Sequence, residues 1–214
     1  MARKTKVEAE KTRARVLASA LSLFAKKGYE HTTFTDIAAR LKMTKGAVYW
    51  HFESKEALLV ALVDEMLAKF RRQLEELMPK KEGLTFPAIT EMMVANAERI
   101  VGDPKGTAFF MLMKTQVKWG ADSMASVRER LQSDETYGPY HAIIEAVGND
   151  IAAGRVRRDV DPVEVASVAM SIWDGLVRAR IERFLDCDLA GALRRSYAGI
   201  WGSIRIAGPG IGTD

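Results

Sequence analysis

Cys187 is the sequence's single cysteine, so no intramolecular disulfide can form, and a thiolate zinc site has too few ligands. The three histidines, His31, His51 and His141, stand far apart without nearby cysteines or paired carboxylates, which leaves no metal-ligand spacing. No glycine-rich phosphate loop, nucleophile elbow or flanked carboxylate pair occurs, so the reading is of a protein that is not an enzyme and uses no cofactor. No run approaches the roughly 18 apolar residues that a spanning helix needs. The first thirty residues are charged throughout, with no apolar core of a signal peptide; the expectation is a cytoplasmic protein without a membrane segment. Period-two alternation long enough for a sheet is missing, as is any internal repeat. Wholesale disorder is excluded as well, because hydrophobic residues make up 48% of the chain, an ordinary share for a globular core.

Charge is present but unevenly placed. Residues 1–55 carry 12 Lys or Arg against 5 Asp or Glu, whereas the rest carries 20 against 23. A basic front quarter on a slightly acidic body suggests a polyanion-binding module joined to a domain with other work. A solvated, lysine-rich first helix is the plainer reading of the same charges.

Val16, Leu17, Ala20, Leu21, Leu23 and Phe24 recur at helical spacing, predicting an amphipathic helix over residues 8–27 that Gly28 ends. Thr33-Phe34-Thr35-Asp36 is a variant capping box ahead of Ile37, Ala38 and Leu41. Thr44 opens a third helix to His51, and Ser54 a long one whose apolar positions run from Leu58 to Met78. Beyond Pro79–Gly83 the pattern stays helical, broken at Gly102-Asp103-Pro104, Gly120-Ala121-Asp122, Gly138-Pro139, 154–162 and 186–188. An all-α chain of about nine or ten helices results, with a Gly-rich tail at 207–214 read as disordered.

Two short helices, at 34–41 and 44–51, joined by a tight turn at Lys42-Met43 have the dimensions of a helix-turn-helix. The second helix must then enter the DNA major groove by its first turn, which has to be slim and rich in donors. Thr44, Lys45, Gly46 and Ala47 meet that need, Gly46 allowing close approach and Lys45 reaching a guanine edge or a phosphate. Tyr49, Trp50 and His51 follow on the same helix, with Tyr49 and His51 suited to phosphates beside the groove. Thr33 and Lys55 begin flanking helices, where free N–H groups favour an anion.

The residues Thr12-Arg13, Val16-Leu17, Ala20, Leu23-Phe24, Gly28-Tyr29, Thr32-Thr33-Phe34 and Asp36-Ile37-Ala38, then Thr44 to Phe52 and Lys55-Glu56-Ala57-Leu58, resemble the DNA-binding domain of TetR-type transcriptional regulators. The match is nearly continuous from 10 to 60. The opening Met1 to Lys6 and the run Gly46 to Phe52 are most similar to the AcrR subgroup, whose members often repress multidrug efflux pumps. One departure is Leu41-Lys42-Met43, where the family commonly has Ala-Gly-Val. The resemblance implies a helix-turn-helix domain at 1–54 and a helical ligand-binding and dimerisation domain at 55–206. It further implies a homodimer formed by the last two helices, a roughly palindromic double-stranded operator and a small-molecule ligand.

The body offers parts for both tasks. Trp173, Val177 and Ile181 lie on one broad apolar face, and Tyr197, Ile200, Trp201 and Ile204 on a second, so two helices per subunit can form a four-helix dimer interface. Ordinary core packing explains such faces equally. For the ligand, Met66 and Phe70 on the long helix, with Met93, Phe109, Phe110 and Met113 in the middle and Trp173 later, combine soft thioethers with rings, as an adaptable apolar pocket requires; core packing again competes. Asp174 reads as a helix-surface partner of Arg178. The function expected is a ligand-responsive repressor, for instance of an efflux or detoxification operon, released from its operator by a small apolar ligand. Two alternatives stand beside it: a regulator answering a metabolite such as an acyl thioester or fatty acid, and an enzyme carrying a helix-turn-helix.

Overall fold

In a computed structural model of the chain, residues 2–77, 83–132, 138–184 and 186–206 are described. The expected tail at 207–214 and most of the break at 79–83 lie outside them. The helices run α1 (Ala2–Lys27), α2 (Phe34–Leu41), α3 (Lys45–Tyr49), α4 (Lys55–Leu77), α5 (Phe86–Gly102), α6 (Pro104–Met111), α7 (Ala125–Gln132), α8 (Pro139–Ala152), α9 (Pro162–Ile181) and α10 (Leu189–Ile204). A π turn at Leu112–Gln116 and a 3₁₀ turn at Asp122–Met124 join α6 to α7. Among the described residues there is no strand, and the extended backbone makes one isolated bridge, Val156 to Arg205. No described helix is long and apolar enough to cross a membrane. The all-α class is therefore as the periodicity predicts.

Local chemistry explains the breaks. Gly28 and Gly154 take φ of 91° and 71°, values that L side chains rarely adopt. Asp103 caps α6 by accepting the N–H groups of Lys105 and Gly106, and Pro104, Pro139 and Pro162 each occupy the first turn of a helix, where a missing N–H costs nothing. The first helix begins earlier than the predicted residue 8, because α1 starts at Ala2.

The chain divides into two compact units, one within Met1–Ala68 and Gly102–Thr136, the other within Lys69–Val101 and Tyr137–Asp214. In the first, Val16, Ala20 and Phe24 of α1, Ile37 of α2, Val48 of α3 and Leu58 and Leu59 of α4 form one buried cluster. Leu112, Val117, Met124 and Val127 join it, and α6 packs on α1. This unit thus takes in more than residues 1–54. At the π turn the Val117 N–H donates to the Leu112 carbonyl at 3.1 Å.

In the second unit α9 packs on both α8 and α10. Its core uses aromatic groups with polar ends, and each end finds an acceptor, as burial demands. Trp173 Nε1–H donates to the Met93 carbonyl at 2.8 Å, and Tyr197 O–H to the Ala169 carbonyl at 3.0 Å. Phe86 stacks on Tyr197 and Trp201 at centroid distances of 5.9 and 6.0 Å. Asp150 is completely buried; it accepts the Phe86 N–H at 2.8 Å and pairs with Arg155 at 2.6 Å. Beside it, Asn149 donates to the Leu84 carbonyl at 2.9 Å. Two adjacent residues of α8 therefore hold the start of α5.

This packing assigns most of the expected interface residues a task inside the chain. Trp173, Val177, Tyr197 and Ile204 are buried within the monomer, while Ile181, Ile200 and Trp201 are half-buried. The outward faces of α9 and α10 carry Val168, Ser171, Gly175, Ala198, Gly199 and Gly202 instead. Arg178 pairs with Glu182, one turn further along, at 3.1 Å.

Candidate nucleic-acid interface

The site is assembled from caps. Thr33 is extended at φ −113° and ψ 163°, and its hydroxyl oxygen accepts the Asp36 N–H while Asp36 accepts the Thr33 N–H, closing the capping box of α2. Lys27, from the last turn of α1, adds an ion pair to Asp36 at 2.6 Å. That bond first, and the Thr33 bonds second, pull the Asp36 carboxyl down to about 2.

At the other end of α2, Lys42 adopts the left-handed region at φ 55° and ψ 45°, and its N–H returns to the carbonyls of Ala38 and Ala39. The turn has the geometry in which glycine is at ease, although a lysine fills it. Thr44 then caps α3 by accepting the Ala47 N–H at 3.2 Å.

The reading helix is pinned from behind. Val48 is fully buried, so the side chains on the other side of α3 are presented outward. Lys45 and Gly46 are exposed, Ala47 is half-buried, Tyr49 is 49% exposed and Trp50 73%. A rigid helix showing a slim first turn and two large rings is suited to a groove, since positions fixed by the core lose little entropy on binding. Two ring contacts order the far end: Tyr49 lies 4.8 Å from Phe34, with Lys45 Nζ 5.5 Å above the Tyr49 ring. Trp50 meets the half-buried His51 edge-on at 4.6 Å.

A cleft of about 230 Å³ opens beside this surface, lined by Glu30, Thr32, Thr33, Tyr49, Ser54 and Lys55 among others. It brings together Thr33, Tyr49 and Lys55, all expected at phosphates. Two of the three are already engaged in the free protein. The Thr33 hydroxyl donates to Asp36 at 2.8 Å, and Lys55 Nζ donates to the carbonyls of Tyr29 at 3.0 Å and Glu30 at 3.2 Å while lying 4.6 Å over the Tyr29 ring. An ammonium has three donors, so Lys55 keeps one for an anion while fastening the loop before α2 to the start of α4.

Sequence reasoning missed Arg13 at this site. It stands on α1, and its guanidinium lies 4.9 Å over the ring of Phe52. No spacing rule connects residues 39 positions apart, one on α1 and the other in the loop after α3, so no sequence signal marks the pair.

The residues expected at the ligand are divided between the two units. Met66, Phe109, Phe110 and Met113 belong to the first, and Phe70, Met93 and Trp173 to the second. Phe70, Met93, Phe110 and Trp173 are buried, whereas Met66, Phe109 and Met113 are half-buried. Phe109 and Met113 lie against the core cluster of the first unit.

The family model described as "Bacterial regulatory proteins, tetR family" matches residues 16–62, the segment that builds this surface. The HTH-type transcriptional regulator TtgR of Pseudomonas putida is 30% identical over 202 residues, covering 91% of this chain and 92% of that protein. Among solved structures, SmeT, the repressor of the Stenotrophomonas maltophilia multidrug efflux pump SmeDEF, superposes with a TM-score of 0.71 at 20% identity, covering 92% of this chain and 91% of that one. The regulator FadR from Bacillus subtilis in complex with stearoyl-CoA reaches a TM-score of 0.73 at 16% identity, covering 89% and 98%. At these identities the two structures show the shared fold.

Proposed function

As this chain belongs to the tetR family of bacterial regulatory proteins and is thus a DNA-binding transcriptional regulator, we propose that it represses a roughly palindromic operator and is released by a small, mostly apolar ligand. The observation that carries the reading is the outward surface of Lys45, Gly46, Tyr49 and Trp50 on a helix whose other side is anchored by Val48. In this proposal Thr44, Lys45, Gly46 and Ala47 face base edges, and Tyr49, Trp50, His51, Thr33 and Lys55 face the backbone. Two copies read two half-sites about 34 Å apart, paired through the outward faces of α9 and α10. The small residues Gly175, Gly199 and Gly202 support that pairing, since a Cβ added at any of them meets nothing within 4 Å, leaving room for a partner helix to approach. In this proposal the protein acts on its operator in the cytoplasm.

The ligand-facing residues we propose are Met66, Phe109 and Met113, half-buried in the first unit, while the buried Phe70, Met93, Phe110 and Trp173 support the cores of their own units. A ligand shifts the balance between DNA-competent and released forms only by its differential affinity, typically about 1–3 kcal/mol of coupling. Repression of an efflux pump, the role named for SmeT, is the role we propose here. Locating the DNA protected beside the protein's own gene tests the first half. Adding apolar drugs, or acyl-CoA as the competing metabolite class, to the protected complex tests the second: release by drugs supports the proposal, and release by acyl-CoA alone replaces it with the metabolite reading.

A further inference from the structure

Arg13 is an exposed cation on a helix that precedes the helix-turn-helix, yet it reaches Phe52 in the loop that follows the reading helix. Its guanidinium covers Phe52, which is buried and follows directly on His51. Stacking on a ring fixes the planar group and leaves its N–H edge available, the arrangement that makes arginine a directional binder of phosphate. Among the described residues no carboxylate pairs with Arg13 and no acceptor takes its N–H groups. His51, the residue before Phe52, is half-buried, its ring packed edge-on to the exposed Trp50. Burial first, and the charge of Arg13 second, hold the His51 imidazole below its usual range. A fixed cation beside an imidazole disfavoured as a second cation is an arrangement that an anion would stabilise.

We propose that Arg13 and His51 together grip one backbone phosphate of bound DNA, as a site separate from the cleft at Thr33, Tyr49 and Lys55. This rests on the DNA-binding reading above. A phosphodiester suits both groups: it accepts from the guanidinium edge, and its charge removes the cost of protonating His51. The grip ties α1 to the duplex directly, so that α1 and α3 hold the backbone and bases as one body. A competing role is internal, with Arg13 acting only as a staple between α1 and Phe52.

The experiment is titration of a fluorescent operator duplex by the full chain at several salt concentrations, for the wild type, Arg13→Lys and Arg13→Gln, with thermal melting of each. The grip predicts that Arg13→Gln lowers the slope of log affinity against log salt by about one unit and weakens binding roughly five- to tenfold at 0.1 M salt, on operator and unrelated duplex alike. Arg13→Lys keeps the slope. A lower melting temperature with an unchanged slope overturns the grip and leaves the staple. A wild type without salt-dependent DNA binding overturns the DNA-binding reading itself. Should Arg13→Gln fail to fold, the wild type still decides: the His51 imidazole resonance, assigned with His51→Gln, must titrate at higher pH when operator is added, and an unmoved titration overturns the grip.

Discussion

Lys27 Nζ lies 2.6 Å from Asp36 Oδ1, tying the last turn of α1 to the capping box of α2. The pair adds an electrostatic tie, at the end where the chain turns, to the buried packing of Val16, Ala20 and Phe24 with Ile37 and Val48. Asp36 serves two neighbours at once, Lys27 with one oxygen and Thr33 with the other. With its carboxyl held down at about 2, below the ordinary value of about 3.9, its contribution to stability is complete above the unfolded value and is lost as pH falls from about 4 to about 2. Acid unfolding of the wild type should therefore show a component in that window that Asp36→Asn lacks. Identical acid profiles would remove the linkage.

Lys42 carries φ of 55° where glycine would be unstrained. Relief of the left-handed cost exceeds the added backbone entropy of glycine, so Lys42→Gly should stabilise the fold by about 0.5–1 kcal/mol. Denaturant midpoints at constant m-value measure it. A loss of stability would mean that the Lys42 side chain makes a compensating contact.

Two ion pairs of the second unit should differ sharply. Asp150 is fully buried and accepts the buried Phe86 N–H, so Asp150→Ala leaves that donor without an acceptor and should cost about 2–3 kcal/mol, while Arg155, its side chain 46% exposed, stays hydrated. Arg194 and Glu91 pair with side chains 51% and 60% exposed, and Glu91→Ala should cost about 0–1 kcal/mol. Urea unfolding of the two variants gives the comparison, and equal losses would contradict the assignment of Asp150 as the tie between α8 and α5.

Ala198 and Val177 separate interface from core. Ala198 is exposed in the monomer, so Ala198→Glu should leave each subunit folded while weakening a dimer paired through α10 at least tenfold, each decade being about 1.4 kcal/mol. Val177 is buried, and Val177→Asp should unfold the chain instead. Sedimentation with circular dichroism distinguishes them. A fully dimeric Ala198→Glu protein would move the interface elsewhere.

Features with local causes were legible in the sequence. The capping box at Thr33 and Asp36, the cap at Thr44, the stop at Gly28 and the proline starts of α6, α8 and α9 depend on residues within one turn of each other. The start of α1 was less legible, since none of residues 6–15 is fully buried, Ala9 and Thr12 alone being half-buried, and no core stripe is left to read. Periodicity could not separate core from interface for Val177 and Tyr197, because an apolar stripe looks the same whichever partner covers it. The contacts of Arg13 with Phe52 and of Lys55 with the Tyr29 and Glu30 carbonyls depend on a helix meeting a loop distant in sequence, and neither has a sequence signature. For the same reason the π turn at Leu112–Gln116 was not expected.

The most direct measurement of the central claim is titration of the protected operator and its single-position variants by wild type, Lys45→Ala and Tyr49→Ala across a range of salt. The account predicts that Tyr49→Ala weakens every duplex and lowers the salt slope by about one unit, while Lys45→Ala loses about 1–3 kcal/mol of discrimination at one position in each half-site. Wild-type affinity, slope and discrimination retained by both variants would contradict the claim that the exposed side of α3 reads DNA.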